Sequence, residues 1–275
     1  MKTTKLIAVI TIIFSAYLAY AQSNINKYLK EDSERKTLVI AGDYWCPYNC
    51  LPGSESPGYL VELIEKALYI YSIDVEYRIM SWNDAIKLAE KGEVDAIVGI
   101  GDIKGKNLLT TSLPLEYSMT DAFTRNDTEW IYDGIDSLRG KKIGVVMGGI
   151  IDEVTKHYIG INYPINPGAF SVQEEKNAVI ESIADLIDSD SDVYIEDYRV
   201  VQHYIKENGL DPYIRNAGHV GKIKAPVYIA FSKALPDATK YIQYFTEGIA
   251  SLKATGEYDS LRLKYNMDNG EINGL

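Results

Sequence analysis

Four carboxylates, Asp43, Asp102, Glu196 and Asp197, fall in short segments that follow apolar runs, with Lys106 as the base set against them. Gathered at one site, such acids would hold an amine or another cation through charged hydrogen bonds worth ~1.5–3 kcal/mol each. Left unpaired and buried, they would be costly, so a cationic or amine-bearing ligand is the simplest partner for the set. The structural use of the same residue type is capping, because carboxylates favour helix N-termini. Asp197 opens a helical stretch, so capping stands beside ligand contact for that residue. Trp45 and Tyr48 add aromatic surface, and Gly99, Gly148, Gly149 and Ile150 lie where exposed backbone N–H groups could serve as donors.

Other chemistries find less support. Cys46 and Cys50 are four apart in Trp45-Cys46-Pro47-Tyr48-Asn49-Cys50, the tighter C-x-x-C spacing of redox pairs being absent. His157, His203 and His219 show no ligand spacing that would join the cysteines around a metal. There is no Gly-x-Ser-x-Gly elbow, His-Glu-x-x-His, phosphate loop or Cys–His pairing, and no cofactor or metal is expected. The formal charge of −11 argues against nucleic acid and anionic membrane surfaces. Tyrosine is frequent at 22 residues against 5 phenylalanines, which suits half-wet clefts and ordinary cores alike. Asn126-Asp127-Thr128 matches a glycosylation acceptor and is read as chance.

The N-terminus reads as an address. Lys2 and Lys5 precede an uncharged apolar run over 6–19, and Ala19 and Ala21 flank Tyr20 in an A-x-A cleavage pattern. The apolar run is shorter than the ~20 residues that span a bilayer. A secretory leader over 1–21 is expected, cut near Ala21, which takes the formal charge to −13 and leaves 254 of 275 residues. Export implies an oxidising compartment, where a Cys46–Cys50 disulfide is the leading reading.

Strands and helices alternate through the rest. A β-rich run at 37–42 ends at Asp43, and Leu60, Leu63, Ile64, Ala67 and Leu68 then recur at helical spacing. A strand is expected over 74–80, a helix capped by Ser81 and ending at Gly92, and a strand over 94–100 that is apolar nearly throughout. This βαβαβ order predicts a parallel sheet with crossover helices. A second set follows: a strand at 141–147 into Gly148-Gly149, a helix at 173–188, a strand at 192–195, a helix at 197–208, a strand at 226–233 and helices over 236–267. Two α/β lobes are expected rather than one sheet. Ligands of open α/β sheets bind beyond the carboxyl ends of the strands. That rule selects residues 43–48, 99–106, 148–150 and 196–197, and so returns to the acids above.

In order along the chain, the segments Gly42-Asp43-Tyr44-Trp45-Cys46-Pro47-Tyr48, Gly58-Tyr59 before Glu62, Gly92-Glu93-Val94-Asp95-Ala96-Ile97, Ser112-Leu113-Pro114, Leu138-Arg139-Gly140-Lys141-Lys142-Ile143-Gly144-Val145, Asp192-Val193-Tyr194-Ile195-Glu196-Asp197 and Tyr228-Ile229-Ala230-Phe231-Ser232-Lys233 form a pattern. With it the chain resembles the type 2 periplasmic solute-binding proteins, in particular the polar amino acid receptors of ABC transporters. The resemblance implies an α/β fold of two lobes joined by two hinge strands, near 120–127 and 225–228. Lobe 1 would be discontinuous (36–122 plus 228–275), with lobe 2 over 126–222.

It also implies a monomeric periplasmic receptor that closes on a small polar ligand and serves a permease in the inner membrane. Trp45 falls where the family packs an aromatic on the ligand, and Asp197 where a carboxylate pairs with an α-amino group. The family's arginine for the α-carboxylate has no counterpart in Gly101-Asp102-Ile103-Lys104-Gly105-Lys106-Asn107, where Lys106 is the nearest stand-in and offers a point charge instead of a fork. Gly148-Gly149-Ile150 replaces a glycine–threonine turn, losing a hydroxyl. An amine-bearing or amino-acid-like ligand is therefore expected. Two alternatives share the fold: a dehydratase of the cyclohexadienyl type, whose anionic substrates call for cationic donors that are scarce here, and a ligand sensor without a transport role.

Overall fold

The computed structural model describes residues 35–221 and 224–267; the expected leader over 1–21 lies outside them. Strand β1 (Lys36–Gly42), helix α1 (Tyr59–Tyr69), β2 (Ile73–Ile79), α2 (Trp82–Lys91) and β3 (Ala96–Ile100) form the βαβαβ unit read from the sequence. Both β2 and β3 pair parallel to β1. The apolar face of α1, from Leu60 to Leu68, is at most 1 % exposed at each of its five periodic positions. Burying a leucine or isoleucine so completely stabilises by ~1.5–3 kcal/mol per side chain before entropy is counted. Helix α2 starts where Ser81 Oγ accepts the Asp84 amide at 3.2 Å and ends at Gly92, whose φ is 77°. In β3, Ala96 and Val98 join the core under α1, while Ile97 joins the core under α2. That alternation is the period of a strand covered on both faces.

Antiparallel β11 (Ala225–Ser232) extends this first sheet and carries the short strands β4 (Leu108–Thr110) and β5 (Glu116–Ser118). Helices α6 (Ala238–Thr255) and α7 (Glu257–Lys264) return to pack on α1. The helices expected over 236–267 are these two, and they meet at Gly256.

The second sheet is built from β6 (Thr120–Arg125), β7 (Ile143–Val146), β8 (Phe170–Gln173), β9 (Val193–Asp197) and β10 (Ile214–His219), in the order β10-β6-β9-β7-β8. Its helices are α3 (Glu153–Asn162), α4 (Ala178–Ile187) and α5 (Tyr198–Asn208). Helix α4 begins five residues later than the sequence suggested, because residues up to Gln173 pair in parallel with β7 as β8. Between the sheets the chain crosses at Met119 and again between β10 and β11. Ser118 pairs with Ala225 and Asp121 with His219, so the two crossings lie side by side. The molecule is a two-lobed α/β fold, with the carboxyl ends of β1, β3, β7 and β9 turned toward the junction.

Candidate functional site

The segment after β1 supplies the first wall. Cys46 and Cys50 are disulfide-bonded with Cα atoms 4.9 Å apart, and Trp45 N donates to Asn49 O at 2.9 Å, so the bridge closes a tight loop. That loop holds Trp45 in stacked contact with Tyr48, ring centroids 4.3 Å apart. Behind it, Gly99 has φ +96°, and a Cβ there would come within 3.8 Å of Trp45 Cε3 and 3.2 Å of Asn49 Nδ2.

The facing wall comes from β7, its turn and the end of β9. Gly148 has φ +78°, and a Cβ there would lie 2.5 Å from Trp82 Cδ1 at the first turn of α2. This glycine therefore lets the two lobes touch. Further contacts join them: Tyr44 meets Tyr204 edge-to-face at 6.1 Å, Trp45 Nε1 donates to Glu196 Oε1 at 3.1 Å, and Tyr48 OH donates to Asp197 Oδ2 at 3.2 Å. From α5, Arg199 Nη2 reaches the Met267 carbonyl at 2.8 Å.

Among the described residues, two cavities open between the lobes at the strand ends. The inner one, about 20 Å³, is lined by Asp43, Trp45, Trp82, Gly99, Val146, Gly148, Gly149, Ile150 and Glu196. That volume matches a single water-sized group. The outer one, about 450 Å³, includes Trp82, Asn83, Ile86, Asp102, Lys106, Met147, Glu153 and Lys156, and shares Trp82, Gly148, Gly149 and Ile150 with the inner one. Of the residues singled out in the sequence, Asp43, Trp45, Gly99, Gly148, Gly149, Ile150 and Glu196 thus meet at the inner cavity, and Asp102 and Lys106 at the outer one. Tyr48 and Asp197 line neither.

The four acids divide sharply. Asp197 is fully buried, and its oxygens accept five hydrogen bonds: from Tyr48 OH, Ser118 Oγ and Met119 N on Oδ2, and from Arg199 N and Val200 N on Oδ1. It caps α5 and ties that helix to the crossing and to lobe 1. Burial pushes its carboxyl up, while Ser118, the Arg199 charge and the amides pull it back. Asp102 is exposed and accepts the Lys104 amide at 2.8 Å, a local turn bond.

Glu196, 3 % exposed, takes bonds from Trp45 Nε1, Tyr194 OH and the Asp197 amide, and no basic side chain among the described residues is paired with it. Burial first, and the neighbouring Asp197 charge with it, push its carboxyl to about 7. Asp43 is half-buried, faces the inner cavity without a basic partner among the described residues, and is pushed by burial to about 6. A pair of such carboxylates on opposite lobes favours either protons or an incoming cation. At the outer rim, Lys156 lies 3.7 Å from Glu153, whereas Lys106 has no carboxylate partner among the described residues.

Trp82, Asn83, Ile86, Met147, Glu153 and Lys156 are lining residues that sequence reasoning did not single out. Ser81-Trp82-Asn83 lies at the carboxyl end of β2, so the same strand-end rule that selects the ends of β1, β3, β7 and β9 also leads to it. Among the described residues no cluster of His, Cys, Asp or Glu could hold a metal ion, and no helix is long and apolar enough to cross a membrane.

The histidine kinase sensor domain described as similar to periplasmic binding proteins superposes with a TM-score of 0.69 at 22 % identity, over 85 % of this chain and 97 % of that one. An ancestral arginine-binding protein bound to arginine gives 0.68 at 18 % identity, over 84 % and 98 %. A periplasmic binding protein of Salmonella typhimurium with high arginine specificity gives 0.66 at 15 % identity, over 84 % and 99 %. No curated protein sequence matches significantly. At these identities the structures establish the fold. The family model of the bacterial extracellular solute-binding proteins, family 3, matches residues 38–268, and the chain belongs to that family.

Proposed function

We propose that the protein is an extracytoplasmic receptor that closes on a small amine-bearing, amino-acid-like solute and delivers it to an ABC importer. The observation that carries this reading is the pairing of Asp43 and Glu196 across a cavity the size of one ammonium group, with no base beside them among the described residues. An ammonium there would turn two costly buried acids into partners in charged hydrogen bonds. Trp45 and Trp82 line the same cavity, and indole rings are the aromatic groups that attract a cation best. The body of the ligand would extend into the outer cavity along Ile86, Met147 and Ile150, with Lys106 at hand for a carboxylate. Solved neighbours that bind arginine, itself amine-bearing, agree with this class of ligand.

A ligand favours closure by adding contacts that reach both lobes at once, as one bridging Asp43 to Glu196 would, beside the direct contacts between the lobes. A thermal-shift panel of lysine, arginine, putrescine, glutamate and succinate tests the reading. Primary amines are expected to raise Tm with saturation, as a ligand specific for the native state must. Stabilisation by succinate and none by any amine overturns it. Delivery to an importer is tested separately, by solute-dependent stimulation of a reconstituted permease.

A further inference from the structure

Lobe 1 carries a second concavity, of about 560 Å³, that shares no residue with the two cleft cavities. It lies between the connection from β4 to β5 and helices α6 and α7. Its walls are apolar: Leu115 and Ile249 line it with the buried Leu63 and Phe245 behind them, and Leu113 stands 72 % exposed at the rim. Tyr117 and Tyr258 add aromatic rings.

The charges in this pocket are unequal in what they already do. Glu116 and Arg262 are bound to each other at the floor, and Arg262 also donates to the Met267 carbonyl. Lys253, by contrast, is exposed on α6, with its ammonium 4.7 Å from the Tyr258 ring centre and no carboxylate partner among the described residues. The pocket is thus a neutral-floored apolar bowl with one positive charge at its edge, in the size range that encloses small ligands.

We propose that this pocket is a second ligand site, for a small aromatic monocarboxylate, with its ring against Leu115, Ile249 and Tyr258 and its carboxylate on Lys253. Concave volume and a single unmatched charge favour a small molecule over a protein surface, which would call for a flatter and larger patch. Aromatic lining favours a planar body, since rings gain from edge and offset contacts beyond their buried area. The site stands apart from the cleft, so its ligand and the cleft ligand bind without sharing a contact.

Methyl-labelled NMR titrations with indole-3-acetate, uncharged indole-3-acetamide and decanoate decide it. Indole-3-acetate is expected to shift the methyls of Leu63, Leu115 and Ile249 saturably, leaving Ile150 and Val146 of the cleft unmoved. Lys253→Met is expected to weaken that binding roughly fivefold, the size of an exposed charge pair, and to leave the acetamide unchanged. Ile249→Trp, which fills the bowl, is expected to abolish it. Equal binding of the acetamide overturns the assignment of Lys253. Tighter binding of decanoate overturns the aromatic class. Shifts centred on the cleft, no saturable shift, or shifts that appear with protein concentration alone overturn the site itself.

Discussion

Glu196 and Asp197 are adjacent in sequence and both are at most 3 % exposed, yet their surroundings have little in common. Alternate residues of a strand point to opposite sides, so the last two residues of β9 are delivered to different neighbourhoods. Asp197 meets two amides of α5, the Met119 amide, two hydroxyls and the nearby Arg199 guanidinium. Glu196 meets an indole N–H, a tyrosine hydroxyl and one amide, with Asp43 beyond a small cavity and no basic partner among the described residues. The first acid is saturated by the protein itself. The second, with Asp43, is left short of positive charge. An acid that the fold already satisfies holds the lobes and the helix in place, whereas an acid the fold leaves wanting is the one able to recognise something from outside.

If that division is right, Asp197→Ala has the largest effect. It strands Tyr48, Ser118 and Arg199 and removes the cap of α5, so we expect a loss of about 3–5 kcal/mol, in line with breaking other buried charged networks. Urea unfolding measures it. A cost below that of an ordinary cap would show that the five bonds are not cooperating.

The pH dependence of the ligand-free protein is the next largest. Glu196 keeps its proton up to about 7 in the folded chain, against an ordinary value of 4.5. Between those values the unfolded chain has lost the proton and the folded chain has not, so stability falls as pH rises through the window. The full benefit is present below pH 4.5 and is gone above about 7. The size is roughly 3 kcal/mol for this one group, and Asp43, raised to about 6, acts in the same direction. Where the lobes part before the chain unfolds, the same proton release appears in X-ray scattering as an expanding radius. A bound amine reverses the trend, because it needs both acids ionised. Stability rising from pH 5 to 7 without ligand would break the comparison.

Glu196→Gln sharpens it. Removing the ionisable group takes away roughly half of that pH dependence, Asp43 supplying the rest, and leaves the shape of the cavity nearly intact. Amine affinity is expected to drop about 10- to 150-fold, the value of one charged hydrogen bond. Calorimetry of the variant against the wild type separates the two effects. Unchanged amine binding would move the anchor away from Glu196.

Much of this was readable in advance wherever one local rule dominated. Helices α1 and α2, the parallel trio of strands and the end of α5 at Gly209 follow from periodicity and capping residues that nothing in the tertiary structure overrides. The strand-end rule led to Asp43, Trp45, Gly148 and Glu196. The resemblance pointed to β6 as a hinge strand, but β4, β5, β8 and β10 have no signal of their own in the sequence, because three- to six-residue strands take their identity from the partner they pair with. The Gln173 boundary moved for that reason. The cap and the ligand anchor also looked alike on paper. Separating Asp197 from Glu196 required knowing that Tyr48, Ser118 and the Met119 amide, distant in sequence, converge on one of them only.

The smallest effect probes the single bond by which the unsatisfied acid touches the opposite lobe. Trp45→Phe deletes the N–H that reaches Glu196 Oε1 while keeping a ring to lie on Tyr48. A neutral donor on a buried acceptor contributes about 1 kcal/mol net, so a shift of that order in closed-state stability is expected. Combined with Glu196→Gln in a double-mutant cycle, the two changes should fall short of additivity by at least ~0.5 kcal/mol, since each removes the same contact. The Asp197→Asn change, paired with Trp45→Phe, should couple less than Glu196→Gln does, because Asp197 meets Trp45 only through Tyr48, which stacks on the one and donates to the other. Coupling of Trp45 to Asp197 as large as to Glu196 would mean that the two acids form one network, and that their difference in partners does not divide anchoring from recognition.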